Sequence, residues 1–213
     1  MPVTWAPLPR IPRWGVASAI VAPIALIGGW LYAGSLVPGY DPVRQTISDL
    51  AARDEPHRGV MTLALVLTGV AHIVTAVGLR PADVAGRGLL ALGGVATLIV
   101  AWIPNSLTGH NVLGHMFATY LAFAALSVWP AVIAPNRTDS PVVLRLRFGQ
   151  VAALVLLVLV AVVIADIVTG SATLGLWERV LTGTQALTPL VVVLGTVVGA
   201  RGRRADWPTI RAG

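Results

Sequence analysis

The sequence predicts an all-α integral membrane protein: a six-transmembrane-helix bundle with a short amphipathic helix in its first outer loop. Three observations carry that expectation. Of 213 residues, 56% are hydrophobic and 11% charged, with a mean hydropathy of +0.81, against about 25% charged in an ordinary soluble domain. The apolar residues gather in six runs, each near the ~20 residues that cross a bilayer as a helix. All 15 basic residues are Arg and stand mostly between those runs. Such a composition excludes a soluble enzyme, a disordered regulator and, despite a net charge of +6, a nucleic-acid partner. With no cysteine, disulfides, thiolate metal sites and cysteine nucleophiles are excluded too.

The expected spans are Val16–Val37, Arg58–Leu79, Gly88–Ile103, Leu113–Ala134, Gly149–Val168 and Trp177–Gly199, within a single membrane domain covering residues 1–213. The first exceeds the apolar region of about 7–15 residues in a cleaved signal and is read as retained. The third is short, with Arg87 placed to snorkel toward head groups. Pro23, Pro130 and Pro189 fall inside spans and are read as kinks, because neighbouring helices or waters satisfy the freed carbonyls. Trp14, Trp102, Trp129 and Trp177 fall near span ends, where indole rings favour the interface. Gly195 and Gly199 have the small-xxx-small spacing of close helix contacts.

Sidedness follows from Arg. The two termini and the second and fourth loops hold eleven; the remaining loops hold Arg44, Arg53, Arg58 and Arg179. The positive-inside rule then places both termini, including the Arg-rich tail 200–213, in the cytoplasm. Abundant Arg, Ala, Val and Gly without Lys suggests a bacterial plasma membrane as the setting.

The first outer loop carries the densest signals. Pro38-Gly39 is a turn, and Asp41-Pro42 reads as a helix N-cap followed by proline at the first helical position. Val43, Ile47, Leu50 and Ala51 recur at helical spacing, and Pro56 follows, so an amphipathic helix is expected over residues 42–53. The loop resembles that of domain-of-unknown-function family 998, small six-span proteins of bacteria and archaea whose first outer loop reads Tyr-Ser-Pro, four residues, then Ile-Ser-Glu-Leu-Gly. Tyr40, Asp41, Pro42, Ile47, Ser48, Asp49, Leu50 and Ala51 occupy the matching positions in order, with Asp41 in place of Ser, Asp49 in place of Glu and Ala51 in place of Gly. The resemblance extends through Pro104-Asn105-Ser106, His115 and the run Gly175, Leu176, Trp177, Glu178, Arg179. It implies the six-span layout and no established activity. A fainter similarity, in an Ile-Ser-acidic loop before span two, points to six-span proteins of the DRAM and GPI-remodelling type and hence toward lipid.

Nearly every ionisable group other than the cytoplasmic Arg falls at the outer depth. Tyr40, Arg44, Ser48, Asp49, His57, Arg58, Asn105, His110, His115, Asp166, Glu178 and Arg179 are therefore the candidate ligand- or lipid-binding residues. Asp166 stands out, since a carboxylate on a membrane helix usually faces an interior or a polar partner. Its competing role is a structural pair with Arg44, Arg58 or Arg179. Arg44 and Arg58 suit a lipid phosphate, or equally the carboxylates of their own loop. Ser48, His115 and Asp166 are weak catalytic candidates, with no G-x-S-x-G elbow in support. His110 and His115, five residues apart, do not share a helix face, and no metal or cofactor is expected. His72, deep in span two, reads as a satisfied bundle histidine.

The leading expectation is a membrane protein with an outward polar pocket, capped by the loop helix, for a lipid head group such as that of a bound phospholipid, or for a membrane-protein partner. The alternatives are a lipid hydrolase or transferase using the same pocket, and a small transporter. Transport is disfavoured because few polar residues continue through the spans.

Overall fold

The computed structural model describes residues 8–107, 113–135, 137 and 139–205, the last five by backbone alone. Among the described residues seven α-helices form: α1 Arg13–Ser35, α2 Ile47–Leu50, α3 Arg58–Gly78, α4 Val84–Trp102, α5 Leu113–Val128, α6 Leu146–Thr169 and α7 Leu174–Ala205. Six of them, all but α2, are long and apolar enough to cross a membrane. Each long helix packs on its neighbour in the chain, and α7 returns to α1, so the six close into a ring. The α5–α6 seam is the sparsest in that ring. α6 is the most apolar helix, with a mean hydropathy of 3.2, and the least buried.

Small residues set the tightest contacts. A Cβ on Gly69 of α3 would lie 2.7 Å from the Gly94 carbonyl oxygen of α4, and one on Gly94 would lie 2.6 Å from that of Gly69. A Cβ on Gly29 of α1 would collide with Ala64 of α3 at 2.2 Å. Backbones this close let dispersion act without a hydrophobic driving force between helices. Gly195 and Gly199 face Val143 and Pro141 of the loop before α6, so the small-xxx-small pair accepts a loop where a helix was expected.

Two apolar cores stack along the bundle. One, at the end bearing α2, joins Leu26, Ile47, Leu50, Met61, Leu65, Val100 and Ala186. The other, toward the termini, joins Ala19, Leu79, Leu90, Leu126, Trp129, Ile133, Leu144 and Val192. Buried Thr68, His72, Thr97, Ser127 and Gln185 contribute the polar groups of the interior. Large apolar side chains such as Leu31, Phe117, Val151, Leu154 and Val168 cover the outside, which suits a lipid environment.

Several expectations change. The third span starts earlier, at Val84, capped by the Asp83 side chain. Arg87 donates to the Ala76 carbonyl at 2.8 Å, tying off the end of α3 rather than reaching for head groups. Pro23 and Pro189 stay within continuous helices, whereas before Pro130 the α-helix gives way to a 3₁₀ turn over Trp129–Val132. That turn carries Trp129 inward, where it is fully buried, so it is a core residue and not an interface anchor.

The outer-loop helix is one turn long, Ile47–Leu50, and does not extend over 42–53. Asp41 does cap a turn, its carboxylate accepting the Val43 N–H at 2.9 Å and its carbonyl the Gln45 N–H at 2.8 Å. Thr46 then turns extended and starts α2 afresh through a capping box with Asp49. The split is stable because partners on α7, described below, replace the helical hydrogen bonds it forgoes.

Gly149 at the start of α6 faces the Pro130 carbonyl, and a Cβ there would lie 2.0 Å from its oxygen. Gly149→Ala is expected to lower stability by about 1–3 kcal/mol through overpacking, despite alanine's better helix propensity. Gly28→Ala, with nothing within 4 Å, is the neutral control. Thermal unfolding of the two purified variants in detergent checks the contrast.

Candidate functional site

At the end of the bundle bearing α2, the first loop is fastened to the start of α7 by two adjacent residues. Glu178 Oε2 accepts the Ile47 N–H at 2.6 Å. Arg179 Nη1 donates to the carbonyls of Pro42 at 2.9 Å, Gln45 at 2.8 Å and Gly175 at 2.8 Å, while Nη2 donates to the Tyr40 hydroxyl. The guanidinium lies 5.5 Å from the centroid of the Tyr40 ring, within cation–π range. The Leu176 N–H adds a bond to the Val43 carbonyl at 3.0 Å. This close approach requires glycine at 175: a Cβ there would stand 2.2 Å from the Gln45 oxygen.

Tyr40 completes the clasp by donating to the Thr46 carbonyl at 2.9 Å. Burial pushes its phenol up from 10.0 to about 12, although Arg179 pulls the other way. The folded state thus favours the neutral phenol. Its contribution is fully present below pH 10 and is lost as pH rises through about 12.

Beside the clasp, a groove of about 220 Å³ runs between α5, α6 and α7. Thr46, Ser48, Asn105, His115 and Glu178 form its polar part; Met116, Tyr120, Phe123, Val163, Ile167 and Leu174 form its apolar part. Tyr120 on α5 and Ile167 on α6 are exposed at the bundle surface. Within the polar part, His115 Nδ1 lies 2.7 Å from the Ile103 carbonyl and Nε2 lies 3.2 Å from Ser48 Oγ. A carbonyl only accepts, so Nδ1 carries the proton, and the neutral ring accepts from the Ser48 hydroxyl at Nε2.

A smaller cavity of about 60 Å³ extends into the bundle and shares Ser48, Thr119, Phe123 and Glu178 with the groove. Its walls include Thr68, His72, Thr97, Thr182 and Gln185. His72 is 1% exposed, and among the described residues neither ring nitrogen has a hydrogen-bond partner, so it is not the satisfied histidine expected.

The structure thus brings Ser48, Asn105, His115 and Glu178 to one groove and puts Tyr40 and Arg179 in the clasp behind it. Asp49 belongs to the capping box. Arg44 pairs with Asp41 at 3.4 Å on the exposed loop surface. His57 is exposed ahead of α3, and Arg58 makes no ion pair with a described residue. Asp166 stands apart from the groove: its carboxylate accepts the Thr173 hydroxyl at 2.7 Å, tightening the α6–α7 turn, and it pairs with none of Arg44, Arg58 or Arg179. His110 lies outside the described residues. Among the described residues no three His, Asp or Glu side chains gather as a metal site. Thr46 escaped the sequence reading, and Gly175 entered it only as part of the family resemblance and not as a contact; Thr46 with Asp49 three residues later is a capping-box signal within the sequence.

A family model described as "Protein of unknown function (DUF998)" matches residues 19–195. No curated protein and no solved structure matches the chain, so nothing supports the fainter likeness to the DRAM and GPI-remodelling type.

Tyr40→Phe removes the clasp hydroxyl and is expected to cost about 1–2 kcal/mol at neutral pH. The wild type's additional loss of stability between pH 10 and about 12 is expected to vanish in the variant. Unfolding in detergent as a function of pH measures both.

Proposed function

The chain belongs to the DUF998 family, and we propose that it is a membrane protein that binds an amphiphile of the bilayer, holding the polar head at the end of the bundle that bears the first loop. The groove between α5, α6 and α7 carries this reading. Its polar part offers Ser48, Asn105, His115 and Glu178 to a head group, and its apolar part offers Tyr120, Phe123, Val163 and Ile167 to a chain. Both rims lie on helices long enough to span the membrane, so the route in is lateral, at the sparsest seam of the ring. By the Arg distribution, that end faces away from the cytoplasm. The clasp supports a binder by fixing the loop wall in advance, which reduces the ordering cost of association.

The test is mass spectrometry of lipids retained by gently extracted protein. Wild type and Asp166→Asn are expected to retain one species stoichiometrically. Ile167→Trp, which fills the mouth from the exposed rim, is expected to retain several-fold less. Random bulk lipid in all three would dismiss the reading.

One observation favours a second reading, acyl transfer or hydrolysis. The Ser48–His115 contact has the polarity of a nucleophile and its base, with the Ile103 carbonyl orienting the ring. In that chemistry Ser48 Oγ attacks an ester carbonyl and its proton passes to His115 Nε2. The imidazolium then protonates the departing alcohol, and water releases the acyl group from Ser48. Labelling by a fluorophosphonate probe in the wild type, lost in Ser48→Ala and His115→Ala, is the expected signature. A wild type that stays unlabelled removes this reading and leaves the binding one standing.

A further inference from the structure

The cavity beneath the groove has a marked imbalance of hydrogen-bonding groups. Thr68, Thr97, Thr119 and Thr182 each donate their only hydroxyl hydrogen to the carbonyl four residues earlier, at 2.7–2.9 Å. Ser48 donates to His115 when that ring is neutral. Gln185 directs its amide nitrogen to the Phe123 carbonyl at 3.1 Å and Ser127 Oγ at 3.0 Å, leaving its oxygen as an acceptor. The Glu178 carboxylate accepts from Ile47 at one oxygen and has no described partner at the other. His72 adds an unpartnered, fully buried imidazole, whose neutral form provides one acceptor. The walls therefore present oxygen lone pairs and one carboxylate, with a single imidazole N–H as the only donor left over.

Acceptors left unmet in a buried site are costly, and water answers them only in part, because every water that donates also brings acceptors of its own. A group that only donates and carries positive charge meets both needs. Arg179 does not fill this role, since its guanidinium is already directed at three carbonyls and Tyr40. The space, about 60 Å³, is enough for about four to six waters at 10–15 Å³ each, or for an ammonium with one or two carbons.

We propose that this cavity binds a primary ammonium group, with Glu178 as counter-charge and the Thr182, Thr97 and Gln185 oxygens as acceptors. The inference deepens the amphiphile reading, since a groove sharing Glu178 with the cavity suits the remainder of an amine-bearing lipid. It also excludes phosphate as the group held there, because the walls offer an anion neither a cation nor a row of donors.

The experiment measures thermal stabilisation of the full chain in nanodiscs by ethylammonium, with tetramethylammonium, which has no N–H, and sodium as controls. Ethylammonium is expected to stabilise saturably and neither control to do so. Thr182→Val, which leaves the Glu178–Ile47 bond intact, and Glu178→Gln are each expected to raise the half-saturating concentration about tenfold, the loss of one charge-assisted or multiply used acceptor. Asp166→Asn is expected to behave as wild type. Equal stabilisation by tetramethylammonium, stabilisation by sodium alone, or no effect of either cavity variant overturns the proposal. Decylammonium separates the sources. Tighter binding than ethylammonium that Ile167→Trp abolishes shows an amine delivered on an amphiphile. Decylammonium binding that Ile167→Trp leaves unchanged keeps the ammonium site and removes the groove reading.

Discussion

The loop end of this bundle depends on how one non-helical segment satisfies its backbone. Residues 40–52 pack over the ends of membrane-length helices, where unmet N–H and C=O groups are expensive. Glu178 and Arg179, consecutive on α7, supply the missing partners: a carboxylate for the Ile47 N–H and a guanidinium for the Pro42 and Gln45 carbonyls. Through them the loop becomes a fixed wall. The groove, the Ser48–His115 contact and the upper end of the inner cavity all take their shape from that wall.

Between the two apolar cores the bundle tolerates polarity by hiding it in the helices themselves. Threonines fold their hydroxyls back onto carbonyls four residues earlier, and Gln185 bridges to α5. The arrangement satisfies the threonine and Gln185 donors locally and so leaves those side chains offering acceptors to the interior. His72 and Trp129 are exceptions, since neither His72 ring nitrogen nor Trp129 Nε1 bonds to anything described.

The six spans and the family were legible from composition and from the loop motif, because bilayer thickness fixes the length of an apolar run whatever its partners. What pairing decides was not legible in the same way. Asp166 drew attention as a charge in an apolar span, yet it serves the short turn to Thr173. Glu178 looked like one polar residue among twelve, and its weight comes from Ile47, 131 positions away in the chain. Trp129 followed the rule for span ends until a 3₁₀ turn redirected it into the core. The loop helix had the correct apolar period, but Thr46 interrupts it, since α7 offers its backbone better partners than one more turn of helix. Local pattern therefore predicted the six spans and the presence of a loop helix, and in the loop long-range hydrogen bonding chose the bounds of that helix.

Because a single carboxylate touches both the Ile47 amide and the inner cavity, events on either side of it are thermodynamically coupled. Anything that draws Glu178 inward loosens its hold on the first loop, and anything that tightens that loop's hold on Glu178 weakens what the carboxylate offers inside, by the same coupling free energy. The surface of the loop end and the centre of the bundle are thus joined through one side chain.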